Sequence, residues 1–213
     1  MYIGHYAAAG AILAVAPGLP VFPIAVAVAY PDLLWPLLVY LGKEKVKVSP
    51  MDPLQKAIKF SSYPHSHSLV RSAFLNLIPS IVFGVLYQNV WVAVFFWLGA
   101  LSHWLLDAVV HIKDLPVIGS KKRDTYVGFG LWAVPKFAFV FEYVFFAVVI
   151  LLTAHSTAWA PLLIGGLILH ALNANSFFGF TKKNLTKTPN QYATLALVGF
   201  AIAILWFTLS WSS

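Results

Sequence analysis

The chain has 213 residues, of which 60% are hydrophobic and only 10% charged, and its mean hydropathy is +0.80. That balance excludes an ordinary soluble domain and points to an integral membrane protein. Cysteine is absent, which excludes disulfides and thiolate metal sites and leaves His, Asp and Glu to hold any metal. The net charge of +7 lies in short loops beside apolar runs. That is the positive-inside pattern, and no nucleic-acid partner is expected. The apolar runs are continuous, whereas barrel strands would alternate. The expectation is therefore all-α: one integral membrane domain over residues 1–213, a polytopic transmembrane bundle of six or seven helices.

In chain order, residues 2–16 read as a short apolar helix with small residues (Ala7, Ala8, Gly10, Ala11) that permit close packing. Ala14-Val15-Ala16 looks like a signal-peptide cleavage site, but no Lys or Arg precedes it and Pro17 would follow the cut, so the segment is kept in the mature protein. After the Pro17-Gly18-Leu19-Pro20 turn, a second helix spans 20–41, interrupted at Pro31 and Pro36, where a kink is expected. If the two helices form a hairpin, His5 and Asp32 lie at the same depth, nearly equidistant from Gly18. Lys43, Lys45, Lys47, Lys56 and Lys59 form a basic connection, in which Asp52-Pro53 reads as the start of an interfacial helix over about 53–60. Tyr63-Pro64-His65-Ser66-His67-Ser68 leads into a helix over 69–87 with Arg71 in its first turn, followed by one over 91–111. A second basic loop contains Lys121-Lys122-Arg123 and Gly128-Phe129-Gly130-Leu131-Trp132. Helices at 135–153 (with Glu142), 159–172 (with His170) and 192–211 follow, and a third basic loop with Lys182, Lys183 and Lys187 precedes the last.

Basic connections alternate with the uncharged ones at 17–20, 88–90 and 154–158. This implies a multi-pass protein of the cell's inner (plasma) membrane, with the lipid bilayer as its partner and the N-terminus and basic loops cytoplasmic.

The polar residues are the informative ones. His103, Asp107, His111 and Asp114 stand at i, i+4, i+8 and i+11, so they share one stripe of a helix. A row of ionisable groups in a membrane helix is expensive, and it marks a functional site by default. Counting from the turns places His5, Asp32, Glu142 and His170 in a layer near His103, with His65, His67, Asp107, His111 and Asp114 at or nearer the basic mouth. Imidazoles and carboxylates so gathered suit a divalent metal ion, zinc first, with manganese or iron as alternatives. The candidate metal ligands are His5, Asp32, His65, His67, His103 and Asp107; Glu142, Asp107 and His111 are the candidate catalytic groups, Glu142 as a further ligand or the general base. Arg71, with the lysines, is a candidate for holding an anionic headgroup.

Plainer explanations compete with each of these. His5 suits an interface, His65 or His67 a helix cap, Glu142 a pair with Lys136, His170 a backbone carbonyl, and His111 with Asp114 a helix end. Glu44, Asp52 and Asp124 read as surface charges, and His155 as non-functional.

Gly4-His5, Pro31-Asp32, His67-Ser68 and Ser102-His103-x-x-x-Asp107, in that order over roughly the first half of the chain, resemble the bacterial and archaeal membrane-bound metal-dependent hydrolases of the YdjM-like group. The resemblance implies metal ligation by His5, Asp32, His67, His103 and Asp107, and a fainter similarity extends to zinc-dependent phospholipases C. Leu34 stands where that group commonly has a second acidic residue, and its His-Arg-Gly-x-Thr-His-Ser element is shortened to Tyr63–Ser68. The leading expectation is a membrane-embedded metal-dependent hydrolase acting on a phosphoester or other bond of a lipid-like or anionic amphiphilic substrate. The rivals are a proton- or metal-ion-coupled transporter using the same polar cluster, for which broken helices would speak, and a structural or assembly protein.

Overall fold

The computed structural model describes residues 1–49, 51, 58–120 and 124–212. The helices, in order, are α1 (Gly4–Val15), α2 (Val21–Tyr40), α3 (Leu69–Leu75), α4 (Leu77–Leu86), α5 (Val90–Val110), α6 (Pro135–Thr153), α7 (Ser156–Leu172), α8 (Ala174–Phe178) and α9 (Pro189–Trp211). The strands are β1 (Lys45–Val48) with β2 (Ile58–Ser62), and β3 (Leu115–Pro116) with β4 (Tyr126–Val127), two antiparallel pairs. The all-α bundle is as expected. Among the described residues, five segments are long and apolar enough to cross a membrane: Val21–Tyr40, Leu69–Leu86, Val90–Val110, Pro135–Thr153 and Pro189–Trp211. α1 and α7 are shorter apolar helices. At 1.5 Å per residue α1 is about 18 Å long, too short for a bilayer core of about 30 Å. It starts inside the bundle, where Ile3, Gly4 and His5 are buried.

Several boundaries differ from the sequence expectation for identifiable reasons. α2 is a continuous helix through Pro31 and Pro36, not an interrupted one. The 69–87 helix divides at Asn76 into α3 and α4. α9 starts at Pro189 because Thr188 and Gln191 form a capping box, an N-terminal pattern three residues ahead of the expected start. The interfacial helix expected at 53–60 is corrected in part: residues 52–57 lie outside the described residues, and Ile58–Phe60 belong to strand β2. Lys45-Val46-Lys47-Val48 has the period of a strand, and Val46 points into the core while Lys45 and Lys47 face out.

The three basic connections meet at one end. Tyr63 donates to the Asp114 carbonyl, the Val70 N–H to Val117 O at 2.9 Å, and Asn184 Nδ2 to Ser49 O at 3.4 Å. At the other end, Pro17, Leu19, Thr153, His155 and Trp211 line one shallow depression. One apolar cluster (including Tyr6, Ile24, Phe96, Phe146 and Phe207) fills most of the bundle. A smaller one at the basic end joins Trp35, Val46, Tyr63, Trp104 and Leu115. The ionisable residues lie on the segments that carry these two clusters. Gly99 lets α5 approach α2, since a Cβ there would stand 3.0 Å from the Ala27 Cβ. One turn later comes His103.

Candidate metal centre

His103 is the pivot. Its Nδ1 lies 2.8 Å from the Val28 carbonyl oxygen on α2, an atom that only accepts, so Nδ1 carries the proton. Nε2 then faces two carboxylates, Asp107 Oδ2 at 3.3 Å and Asp32 Oδ2 at 3.5 Å, without making a hydrogen bond to either. His67 presents the same edge to the site: its Nδ1 is 2.7 Å from Ser66 Oγ, and its Nε2 is within hydrogen-bond distance of Asp32 Oδ1, at 3.2 Å, and lies 3.9 Å from Asp107 Oδ2. His111 Nδ1 donates to Asp114 Oδ1 at 2.8 Å, leaving Nε2 3.7 Å from Asp107 Oδ2. Three imidazoles thus turn their Nε2 atoms toward one carboxylate oxygen.

His5 approaches the other oxygen of Asp107, Oδ1, at 3.3 Å, and its ring stacks on His103 with centroids 3.7 Å apart. The Met1 amine also donates to Asp107 Oδ1, at 2.6 Å. His5, His103, Asp107, His111 and His67 are all under 9% exposed, whereas the Asp32 side chain is 18% and that of Asp114 37% exposed. The cluster therefore opens toward solvent on the side of Asp32 and Asp114. Among the described residues, two overlapping sets, His5/His103/Asp107 and Asp32/His67/His103, could each hold a metal ion.

The spacing fits that use. Ligand atoms about 2.1 Å from one ion are about 3.0 Å apart at right angles and about 3.4 Å apart at tetrahedral angles. The shorter contacts here, 3.2 to 3.5 Å, match this range. A charge-assisted N–H···O bond would be about 2.7–2.9 Å. Buried ring nitrogens turned toward carboxylates are satisfied by a proton or by a metal ion between them, and this donor set could hold the ion.

The remaining expected residues are placed as follows. Asp114 lies on the far side of His111 from Asp107 and orients its ring; burial raises the Asp114 carboxyl, but the bond and charge of His111 outweigh this and hold it below the usual carboxylate range. Glu142 is buried and accepts the N–H groups of Tyr2 at 2.5 Å and Gly4 at 3.1 Å, so it caps the start of α1. His65 turns its Nδ1 to Arg71 Nη1, 3.4 Å away, and is outside both metal-ligand sets. His170 donates to the Phe139 carbonyl at 2.8 Å and stacks on that ring, so it serves α6–α7 packing. Against protein-family models, curated proteins and solved structures, the chain finds no match.

Two acidic residues read as surface charges are structural. Glu44 is 1% exposed and accepts from His65 N, Ser66 N and Ser66 Oγ at 2.6, 2.9 and 2.6 Å. Asp124 accepts four backbone N–H groups, those of Val117, Ile118, Gly119 and Ser120. Glu44 was hidden in the sequence by its lysine neighbours. The Lys-Val-Lys-Val alternation that follows it is the one local signal of the turn and strand that bury it.

Proposed function

We propose that this protein is a membrane-embedded, metal-dependent hydrolase whose centre lies toward the basic, cytoplasmic end of the bundle in the inner membrane. The observation that carries the reading is the convergence of three Nδ1-anchored imidazoles, His67, His103 and His111, on Asp107, with Asp32 completing the set. His67, His103, Asp32 and Asp107 would hold the ion, for which zinc suits the mixed imidazole and carboxylate donors. A bound divalent cation would supply Lewis acidity toward a substrate oxygen and toward water. His111, oriented by Asp114 and next to the half-exposed side of the site, is placed to take up and pass on a proton. Arg71, half-buried and in contact with His65, is the group suited to an anionic headgroup. The substrate class this supports is a phosphoester or related bond of a lipid-like amphiphile, in line with the resemblance to membrane-bound metal-dependent hydrolases. α2 is continuous and offers no broken helix to a transporter reading, whereas the Leu69–Leu86 span does divide at Asn76.

The test is elemental analysis of the detergent-purified chain beside a folded His103→Ala, Asp107→Ala double variant. Near-stoichiometric zinc, manganese or iron in the parent and none in the variant is expected, followed by turnover of phospholipid in detergent without an ion gradient. Metal-free parent protein after reconstitution would overturn the reading.

A further inference from the structure

Glu44 follows α2 by a short turn. Gly42 takes a left-handed conformation (φ +65°), and the N–H groups of Lys43 and Glu44 return to the Leu38 carbonyl at 2.8 and 3.1 Å. The carboxylate is thereby turned against the segment that carries His67. Its Oε1 takes the backbone N–H groups of His65 and Ser66, and its Oε2 the Ser66 hydroxyl. That hydroxyl has one proton. Directed to a carboxylate 2.6 Å away, it leaves only lone pairs for His67 Nδ1 at 2.7 Å, so Nδ1 must donate. With the opposite polarity, Ser66 Oγ and Glu44 Oε2 would face each other with lone pairs only.

From this chain of contacts we infer that Glu44 is a positioning residue for the metal centre: through Ser66 it holds a proton on His67 Nδ1, so that Nε2, the nitrogen beside Asp32 Oδ1, is the one offered to a metal ion. The inference rests on the metal reading of the site and adds a residue outside the ligand set. A loop tie alone would need only the two backbone bonds to Oε1. The third contact, from the buried Ser66 hydroxyl, is what reaches the ligand. Ring-orienting partners of this kind typically alter metal affinity about 10–100-fold when removed.

Two variants of the full chain separate positioning from tying. Ser66→Ala keeps both backbone N–H bonds to Glu44 and deletes the relay. Glu44→Gln keeps the shape, but its amide would donate to Ser66 Oγ and so turn the hydroxyl proton toward His67. Two readouts apply: zinc affinity by competition with a chromophoric chelator, and the imidazole ¹⁵N shifts of His67 in metal-free protein. Expected are an Nδ1–H His67 in the parent, a mixed or Nε2–H ring in both variants, and about 10–100-fold weaker zinc binding in both. A folded Ser66→Ala protein with parental ¹⁵N shifts and zinc affinity would reduce Glu44 to a loop tie. If the parent binds no zinc, the metal reading falls by itself, and the ¹⁵N spectrum still decides: an Nε2–H His67 in the parent overturns the inference, and an Nδ1–H ring that changes in Ser66→Ala upholds the relay.

Discussion

Replacing Glu142 distinguishes a helix cap from a general base. α1 has Ile3 at its N-cap and no side-chain cap there, so its first N–H groups need an outside acceptor. Glu142 Oε1 serves Tyr2 and Gly4 and places a negative charge at the positive end of the helix. Hydrogen bonds to a charged group contribute about 1.5–3 kcal/mol each, against about 0.5–1.5 between neutral groups. Glu142→Gln retains a carbonyl acceptor and should lose about 1 kcal/mol per bond, or ~2 kcal/mol in all. Glu142→Ala removes both bonds and should destabilise by about 3–6 kcal/mol. For a chain of this size 1 kcal/mol is about 2–4 °C in Tm, so Glu142→Gln should melt about 4–8 °C below the parent. Glu142→Ala should melt lower still. The assay is thermal unfolding in detergent followed by circular dichroism, with metal content measured on the same samples. Because α1 carries His5 one residue past the capped turn, both variants should also bind metal less tightly. A Glu142→Ala protein melting with the parent refutes the cap. Parental melting of Glu142→Gln with turnover abolished would instead assign Glu142 the role of base.

Three further outcomes follow from other parts of the chain. A Cβ at Gly128 would lie 2.1 Å from the His111 carbonyl oxygen, and the backbone there has φ +153°; Gly128→Ala should destabilise by about 1–3 kcal/mol and weaken zinc binding, while Gly18→Ala, with open space around it, should do neither in the same melting and competition assays. Slight burial raises the Asp124 carboxyl, but four backbone N–H bonds outweigh it and hold the folded-state pKa below the usual carboxylate range. Its stabilisation is therefore present above the unfolded-state pKa of about 3.9 and is lost as pH falls through the lower folded value, so melting curves of parent and Asp124→Asn should differ at pH 7 and converge in strong acid. With no native cysteine, Thr157→Cys and Lys183→Cys can be labelled singly in intact cells; an impermeant maleimide should reach the first from outside and the second only after permeabilisation, and labelling of both from one side would refute the proposed orientation.

What could be read from the sequence follows the periodicity of single helices. His103, Asp107 and His111 face one site because i, i+4 and i+8 share a helix stripe, and charge in an apolar helix is conspicuous. Depth counting brought His5 and Asp32 to the same cluster, but their partners came out differently: His5 meets Asp107 and His103, while Asp32 meets His67 and His103. Depth does not give azimuth, and the rotation of α1 is set by Glu142 and by Gly10 packed against Ile150, Thr153 and Trp211. Glu44 was illegible for a different reason. Its burial depends on a turn at Gly42 and on a strand pair whose register links residues far apart, and neither leaves a local pattern beyond Lys-Val-Lys-Val. Asp114 shared the spacing of the row but lies past the end of α5, where the chain has left the helix.

The two overlapping ligand sets are not equivalent, and tautomer control separates them. A metal-bound histidine almost always donates its other ring nitrogen to a fixed acceptor. His67 and His103 both do so, to Ser66 and to the Val28 carbonyl, whereas His5 Nδ1 is buried with no hydrogen-bond partner among the described residues. The set Asp32/His67/His103 with Asp107 Oδ2 should therefore bind first, and His5 should contribute through its stack on His103 and its contact with Asp107 Oδ1. An ion that binds only the folded chain adds about 2.7 kcal/mol of stability at 100 times its dissociation constant, equivalent to about 5–11 °C in Tm here. Titrating zinc into the detergent-solubilised parent should produce that rise. His67→Gln and His103→Gln should abolish it, and His5→Gln should shift the midpoint to higher zinc while keeping the full rise. Loss of the entire response in a folded His5→Gln protein, with His67→Gln responding like the parent, would place the ion between His5, His103 and Asp107 instead and refute the selection by tautomer.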